Sequence, residues 1–280
     1  MSLDSARPSR VPAGLPCWVE VSCLDEAVTK QFYTGLFGWE YGVRRDPAAP
    51  TGRYWIASVG GTLTSGLYQR GSRSAPGWTL HISVPHTASA AEWVEHLGGT
   101  VTLGPMAIPG RGNILHLTDA CGAPVVFWET PEDWEFATDQ PNTFSGADLN
   151  THDGVAADHF YTKLFTYSCR QIGDGESVDY AEYLIDHTPV LYRYVMGAEY
   201  GRDTPPHWMV YFGVDPARGA DATAGQALML GGSVVVQPYD TPFGRVAILA
   251  DPDGAVFAVI DHSRTLDDVG RAEVDDPYDD

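Results

Sequence analysis

Two carboxylates and two rings with polar tips stand at matching places in this 280-residue chain. Glu20 lies in the segment CWVEVSC, and Asp148 in SGADLNT. His81 lies in TLHISV, and Tyr211 in WMVYFGV. In an extended strand, residues two apart share a face. Glu20 therefore faces the same way as Trp18, and Asp148 the same way as Gly146. His81 shares a face with Thr79, and Tyr211 with His207 and Met209. On a mostly apolar inner face a carboxylate is desolvated, which raises its pKa and suits general acid/base work. Glu20, Asp148, His81 and Tyr211 are thus the candidate catalytic groups. Trp18, Thr79, His207 and Met209 are the candidate substrate contacts beside them. The plainer alternative is that the same groups are structural, with buried carboxylates bonded to backbone N–H or to each other across the pseudo-twofold axis, and rings serving as core. His116, whose counterpart is Ile248, reads as a core histidine. The other histidines carry no spacing signal.

These matches arise because the chain repeats itself. QFYTGLFGW at 31–39 answers HFYTKLFTY at 159–167, and GWTLHISV answers HWMVYFGV. LGG at 97–99 answers LGG at 230–232, and DACGAPVVFW answers DPDGAVFAVI. The order is kept at offsets of 128 to 133 residues, which marks two copies of one module. The division expected is a disordered N-terminal segment at 1–14, module one at 15–129, a polar linker at 130–143, module two at 144–262 and an acidic tail at 263–280. In each module a strand runs into a helix-capping Asp, Asp25 or Asp153. Val28, Phe32, Tyr33, Leu36 and Phe37 make one apolar helix face, closed by Gly38. Two extended segments follow, then a fourth strand, a second helix ending at LGG, and two closing strands. The order expected is βαβββ, with the fourth strand opening the next cycle.

Composition removes several classes of function. Seventeen basic residues against 37 acidic ones give a net charge of −20, with Lys30 and Lys163 the only lysines. Nucleic acid and anionic membrane are therefore unsuited as partners. No apolar run approaches the ~20 residues of a membrane-spanning helix. The N-terminal stretch lacks the apolar centre of a secretory signal, so a cytoplasmic location is expected. Cys17, Cys23, Cys121 and Cys169 lie far apart without a CxxC pair and read as reduced thiols. No nucleophile elbow, phosphate loop or dinucleotide fingerprint occurs, so no cofactor is expected.

The segments PCWVEV…D-x6-FY-x2-LFGW, the LGG–strand–DxxG–strand ending and HWMVYFGVD resemble the vicinal oxygen chelate superfamily. That superfamily includes glyoxalases, bleomycin-resistance proteins and extradiol dioxygenases. The chain looks most like its fused two-module glyoxalase-like members of actinobacterial type. The resemblance implies an α+β fold: two tandem glyoxalase-like modules of paired βαβββ units, with curved sheets forming a cup around a small molecule. It implies that the fused chain supplies the pairing that single-module relatives gain by dimerising, so a monomer, at most weakly dimeric, is expected. It places three metal-ligand positions per module, which here read Trp18, Thr79, Val126 and Gly146, Met209, Ala258. None is a usual ligand for a hard divalent ion, so no metal is expected there. One function that follows is a metal-independent enzyme of isomerase, lyase or cyclisation type, using a carboxylate on a small oxygenated or aromatic metabolite. The alternative is a protein of bleomycin-resistance type that sequesters a small molecule. A metal-dependent glyoxalase or dioxygenase is disfavoured. As equivalent positions in a duplicated fold, Glu20 and Asp148 are expected to converge near its twofold axis, so that their repulsion lifts one pKa.

Overall fold

The computed structural model describes residues 11–46, 49–71 and 75–265. Four βαβββ units follow one another along the chain. The first is β1 (Pro16–Cys23), α1 (Glu26–Phe37), β2 (Glu40–Arg45), β3 (Arg53–Val59) and β4 (Thr62–Gln69). The second is β5 (Gly77–Ser83), α2 (Thr87–His96), β6 (Thr100–Ile108), β7 (Gly112–Thr118) and β8 (Pro124–Glu129). The third is β9 (Phe144–Thr151), α3 (Gly154–Leu164), β10 (Ser168–Gln171), β11 (Tyr180–Ile185) and β12 (Thr188–Val195). The fourth is β13 (His207–Gly213), α4 (Gly219–Met229), β14 (Ser233–Thr241), β15 (Gly244–Ala250) and β16 (Val256–Asp261).

Each pair of units makes one mixed eight-stranded sheet, in the orders β2-β3-β4-β1-β5-β8-β7-β6 and β10-β11-β12-β9-β13-β16-β15-β14. The fold is the expected α+β arrangement of two tandem glyoxalase-like modules. Its cycle restarts at the fifth strand, not the fourth. The strand left uncounted in each unit is β2, β6, β10 or β14, at a sheet edge. These segments are largely exposed, so they lack the buried alternation that marks an inner strand.

The local signals act as their chemistry requires. The Asp25 carboxylate accepts from the N–H groups of Ala27 and Val28 and starts α1, and Gly38 ends it at a φ of 73°. Phe32, Tyr33, Leu36 and Phe37 are buried, whereas Val28, counted in the same face, is 43% exposed. Residues 11–14, assigned to a disordered segment, are bonded: Ser83 donates to the Val11 carbonyl, and the Gly14 N–H to Ser83. Residues 1–10 and 266–280, most of the expected acidic tail, lie outside the described residues.

Strand β5 meets β13 directly, and beside them the helices of the two modules pack together, α1 with α4 and α2 with α3. Their apolar faces and one face of each sheet form a shared core holding Val19, Leu80, Phe32, Phe160, Leu149 and Val210 together. Trp78 of module one meets Phe212 of module two at 4.9 Å between ring centroids. Two reciprocal polar locks cross this core. The Tyr33 hydroxyl donates to Asp251 at 3.1 Å and accepts from the Trp78 indole at 3.0 Å. The Tyr161 hydroxyl donates to Asp119 at 2.9 Å and accepts from the Trp208 indole at 3.3 Å. The opposite face of each sheet carries its own apolar cluster, one around Trp18, Ile114, Val126 and Trp128, the other around Met209, Val246, Ala258 and Ile260. There are thus two cups, each on the side of its sheet away from the shared core.

Candidate functional site

Alternation along β1 sends Val19 and Val21 into the shared core and leaves Trp18 and Glu20 for the first cup. The β1–β5 register sets His81 opposite Trp18. The cup holds a cavity of about 240 Å³, walled by Trp18, Met106, Ile108, Ile114 and Trp128. Glu20, Asp46, Tyr54, Tyr68, His81, Arg111 and His116 are its polar lining. The Trp18 indole donates to the Tyr54 hydroxyl at 2.8 Å, which donates to Glu20 Oε2 at 2.7 Å. His81 Nε2 stands 3.4 Å from Glu20 Oε1, within ion-pair range but not aligned for a hydrogen bond. The linker also contributes: Trp134 donates to the Cys17 carbonyl at 2.9 Å and packs edge-on to Trp18 and Trp128.

Burial alone would raise Glu20, but the His81 charge beside it and the Tyr54 hydroxyl outweigh that and hold it at about 2. The expectation of a raised Glu20 is therefore overturned: the carboxylate is an anion with partners on both oxygens. Burial pulls His116 down from its ordinary value, so its imidazole is neutral at neutral pH. No hydrogen bond to a described residue ties that ring. Arg111 is 5% exposed, and its Nε and Nη2 are buried without a hydrogen-bond partner. Its guanidinium lies 5.0 Å from the Tyr54 ring centroid and 5.6 Å from that of Trp134. A buried unpaired donor costs about 1–3 kcal/mol, more when charged, so an oxyanion placed there would be strongly held.

The second cup holds Asp148, Met209 and Tyr211. Asp148 Oδ2 accepts from the Tyr211 hydroxyl at 2.8 Å, and Oδ1 from Tyr180 at 3.2 Å. Burial raises Asp148 to about 6, partly offset by these two bonds. His207 sits at the entrance of β13 with Nδ1 bonded to the Pro205 carbonyl. The eight candidate residues therefore form two constellations. Trp18, Glu20, Thr79 and His81 belong to the first sheet; Asp148, His207, Met209 and Tyr211 belong to the second. The expected convergence of Glu20 and Asp148 does not occur, because each lies on the outward face of its own sheet. Asp148 is raised by desolvation, not by Glu20.

The positions where the superfamily places metal ligands do not fit a hard divalent ion. The Trp18 indole N–H is committed to Tyr54, Thr79 is the only oxygen donor in the first cup's trio, and Val126, Gly146 and Ala258 have no donor atom. Among the described residues no group of three His, Cys, Asp or Glu side chains is placed to hold a metal. Arg111, Tyr54 and His116 are the site residues that strand periodicity did not single out. The repeat holds a signal for two of them: Arg111 and His116 stand where module two has Phe243 and Ile248.

No protein-family model matches the chain. Over 270 residues it is 32% identical to the anthracycline biosynthesis protein DauV of Streptomyces sp. (strain C5), covering 90% of this chain and 95% of the relative. Over 264 residues it is 30% identical to the putative glyoxylase CFP32 of Mycobacterium tuberculosis (strain CDC 1551 / Oshkosh), covering 88% and 94%. Among solved structures, the Mn(II)-bound glyoxalase from Novosphingobium aromaticivorans matches with a TM-score of 0.62 at 15% identity, over 91% of this chain and 85% of that one. The 2,3-dioxygenase LapB from Pseudomonas sp. KL28 matches with a TM-score of 0.62 at 11% identity, over 89% and 93%. Repeat, sheet order and relatives agree: the chain belongs to the vicinal oxygen chelate superfamily, as a fused two-module glyoxalase-like protein.

Proposed function

We propose that the chain is a metal-independent glyoxalase-like enzyme that moves a proton on a small oxygenated aromatic metabolite, in the first cup. The observation that carries this reading is the buried Arg111, with Nε and Nη2 unpartnered, beside Glu20, His81 and His116 at a cavity of about 240 Å³. Such a constellation suits a substrate with a carbonyl or phenolic oxygen. Arg111 would receive that oxygen and stabilise negative charge developing on it. The neutral His116 imidazole would take a proton from the adjacent carbon and return it at another atom, the balance of an isomerisation or ring-forming step. Glu20 has the part of a fixed anion beside His81, since a carboxylate held at about 2 is a weak base near neutrality. The aromatic walls suit a flat ligand, and the cavity, just below the ordinary size range of ligand pockets, suits a small one. Relatives named for anthracycline biosynthesis support an oxygenated aromatic substrate class. The cysteines take no part in this reading.

The test is a thermal-shift screen of oxygenated aromatic ketones, followed by mass spectrometry of each hit for conversion in excess EDTA. Turnover is expected to persist in EDTA. His116→Gln is expected to lower kcat by ~10²–10⁴-fold, and Arg111→Gln to lower kcat/KM by a similar factor. Turnover abolished by EDTA and restored by a divalent ion would overturn metal independence. Stoichiometric binding without conversion would favour the sequestering alternative.

A further inference from the structure

The second cup differs from the first by an exchange of aromatic positions. Register sets Gly146 opposite Tyr211, as Trp18 is opposite His81. It sets Tyr192 beside Asp148, as Gly66 is beside Glu20. In the first cup the Trp18 indole leans over Gly66, where a Cβ would come within 2.9 Å of its nitrogen. In the second cup the ring stands on β12 instead, and a Cβ at Gly146 would meet no atom within 4 Å. The floor beside Asp148 is open.

The hydrogen bonding differs in the same place. Tyr54 accepts from the Trp18 N–H and donates to Glu20. Its counterpart Tyr180 donates to Asp148, and no described residue donates to its oxygen. Asp148 accepts from two tyrosines and forms no ion pair among the described residues, whereas Glu182 on the same sheet is matched by Arg170. Beside Asp148, Tyr180 stacks on Tyr192 at 5.8 Å, and Phe243 lies 5.9 and 5.6 Å from these two rings.

We propose that the second cup binds a planar aromatic amine, with its ring over Gly146 against Tyr180, Tyr192 and Phe243 and its charged nitrogen donating to Asp148 and the Tyr180 oxygen. The ligand replaces the aromatic N–H that module one provides for itself with Trp18. A carboxylate without a counter-charge selects a cation, and tyrosine faces strengthen that choice. The site shares no residue with the one read as catalytic, and it stands or falls separately.

The test is calorimetric titration at pH 7.5 with two probes that share a ring: tryptamine, a cation, and indole-3-acetate, an anion. Tryptamine is expected to bind once per chain and at least 10-fold more tightly than indole-3-acetate. Asp148→Asn is expected to weaken tryptamine at least 10-fold, and Tyr180→Phe about 3-fold or more, the latter keeping ring and packing if the former perturbs the fold. Equal affinity for both probes, no tryptamine binding, or tryptamine binding unchanged in both variants would overturn the proposal.

Discussion

Glu20 and Asp148 sit at equivalent positions on equivalent strands, 7% and 8% exposed, yet one is held at about 2 and the other is pushed up to about 6. Burial acts on both in the same direction, so it cannot be the cause of the difference. The main cause is one exchanged neighbour: His81, whose charge beside Glu20 holds it down in the first cup, becomes Tyr211 in the second. That exchange removes a basic nitrogen, and tyrosine hydroxyls alone do not offset desolvation. One scaffold therefore presents a charge-compensated cup and an uncompensated one, and the strand geometry is common to both.

The largest expected effects are a pair of opposite sign. The folded pKa of Glu20 is lowered from 4.5 to about 2. The folded state therefore binds this proton more weakly than the unfolded chain. The stability that results is fully present above pH 4.5 and is lost as pH falls toward 2. Glu20→Gln removes it and leaves His81 without its anion, so a loss of ~3 kcal/mol at pH 7 is expected from urea unfolding. The folded pKa of Asp148 is raised from 3.8 to about 6. Here the folded state holds the proton more tightly, so stability falls as pH rises through that window. Asp148→Asn is expected to stabilise by up to ~3 kcal/mol at pH 7 and by little below pH 4. Two losses of the same sign at pH 7 would break the comparison.

A smaller effect tests how the compensated cup is built. A Cβ at Gly66 would lie 1.8 Å from the Tyr54 hydroxyl. Gly66→Ala must displace that ring and with it the bond to Glu20. The expected cost is ~1–3 kcal/mol, the range of overpacking, with a rise in the Glu20 pKa readable by carboxyl NMR titration. An unchanged Glu20 titration would show that His81 alone holds the carboxylate down.

What was legible in the sequence divides along the same line. Residues that the two copies share, Tyr33 and Tyr161, Trp78 and Trp208, Asp119 and Asp251, proved to be scaffold and the seam between modules. Their repetition made the fold readable, because a seam related by a pseudo-twofold needs the same residues twice. The cups are built from residues in which the copies differ, and those leave no mark in a search for likeness. Arg111 could have been found by asking where an apolar residue in one copy faces a charged one in the other. Placing Glu20 and Asp148 in two cups required knowing which faces of the sheets meet. Equivalence along the chain is silent on that. It is decided by helices whose apolar faces, Phe32 and Phe37 among them, are covered by Phe257 and Phe212 of the other module. The edge strands were missed because exposed backbone pairing leaves no hydrophobic period to read.

The smallest effect concerns the seam, where the two halves are expected to behave alike. Tyr33 and Tyr161 each donate to a buried aspartate of the opposite module and accept from a tryptophan of their own. Both aspartates also accept two N–H bonds from the turn that follows them, at Cys121 and Ala123 or at Asp253 and Ala255. The turns are therefore held without the tyrosines. Phenylalanine keeps the ring packing and removes only the hydroxyl, which leaves one indole N–H and one carboxylate oxygen short of a partner. Each change, Tyr33→Phe or Tyr161→Phe, is expected to cost ~1–2 kcal/mol, with the two values within ~0.5 kcal/mol of each other. Equal costs at the seam, beside opposite signs in the cups, would locate the divergence of the two copies in the cups alone. A gap above ~1 kcal/mol between them would mean that one lock carries the seam, and that divergence has reached the scaffold as well.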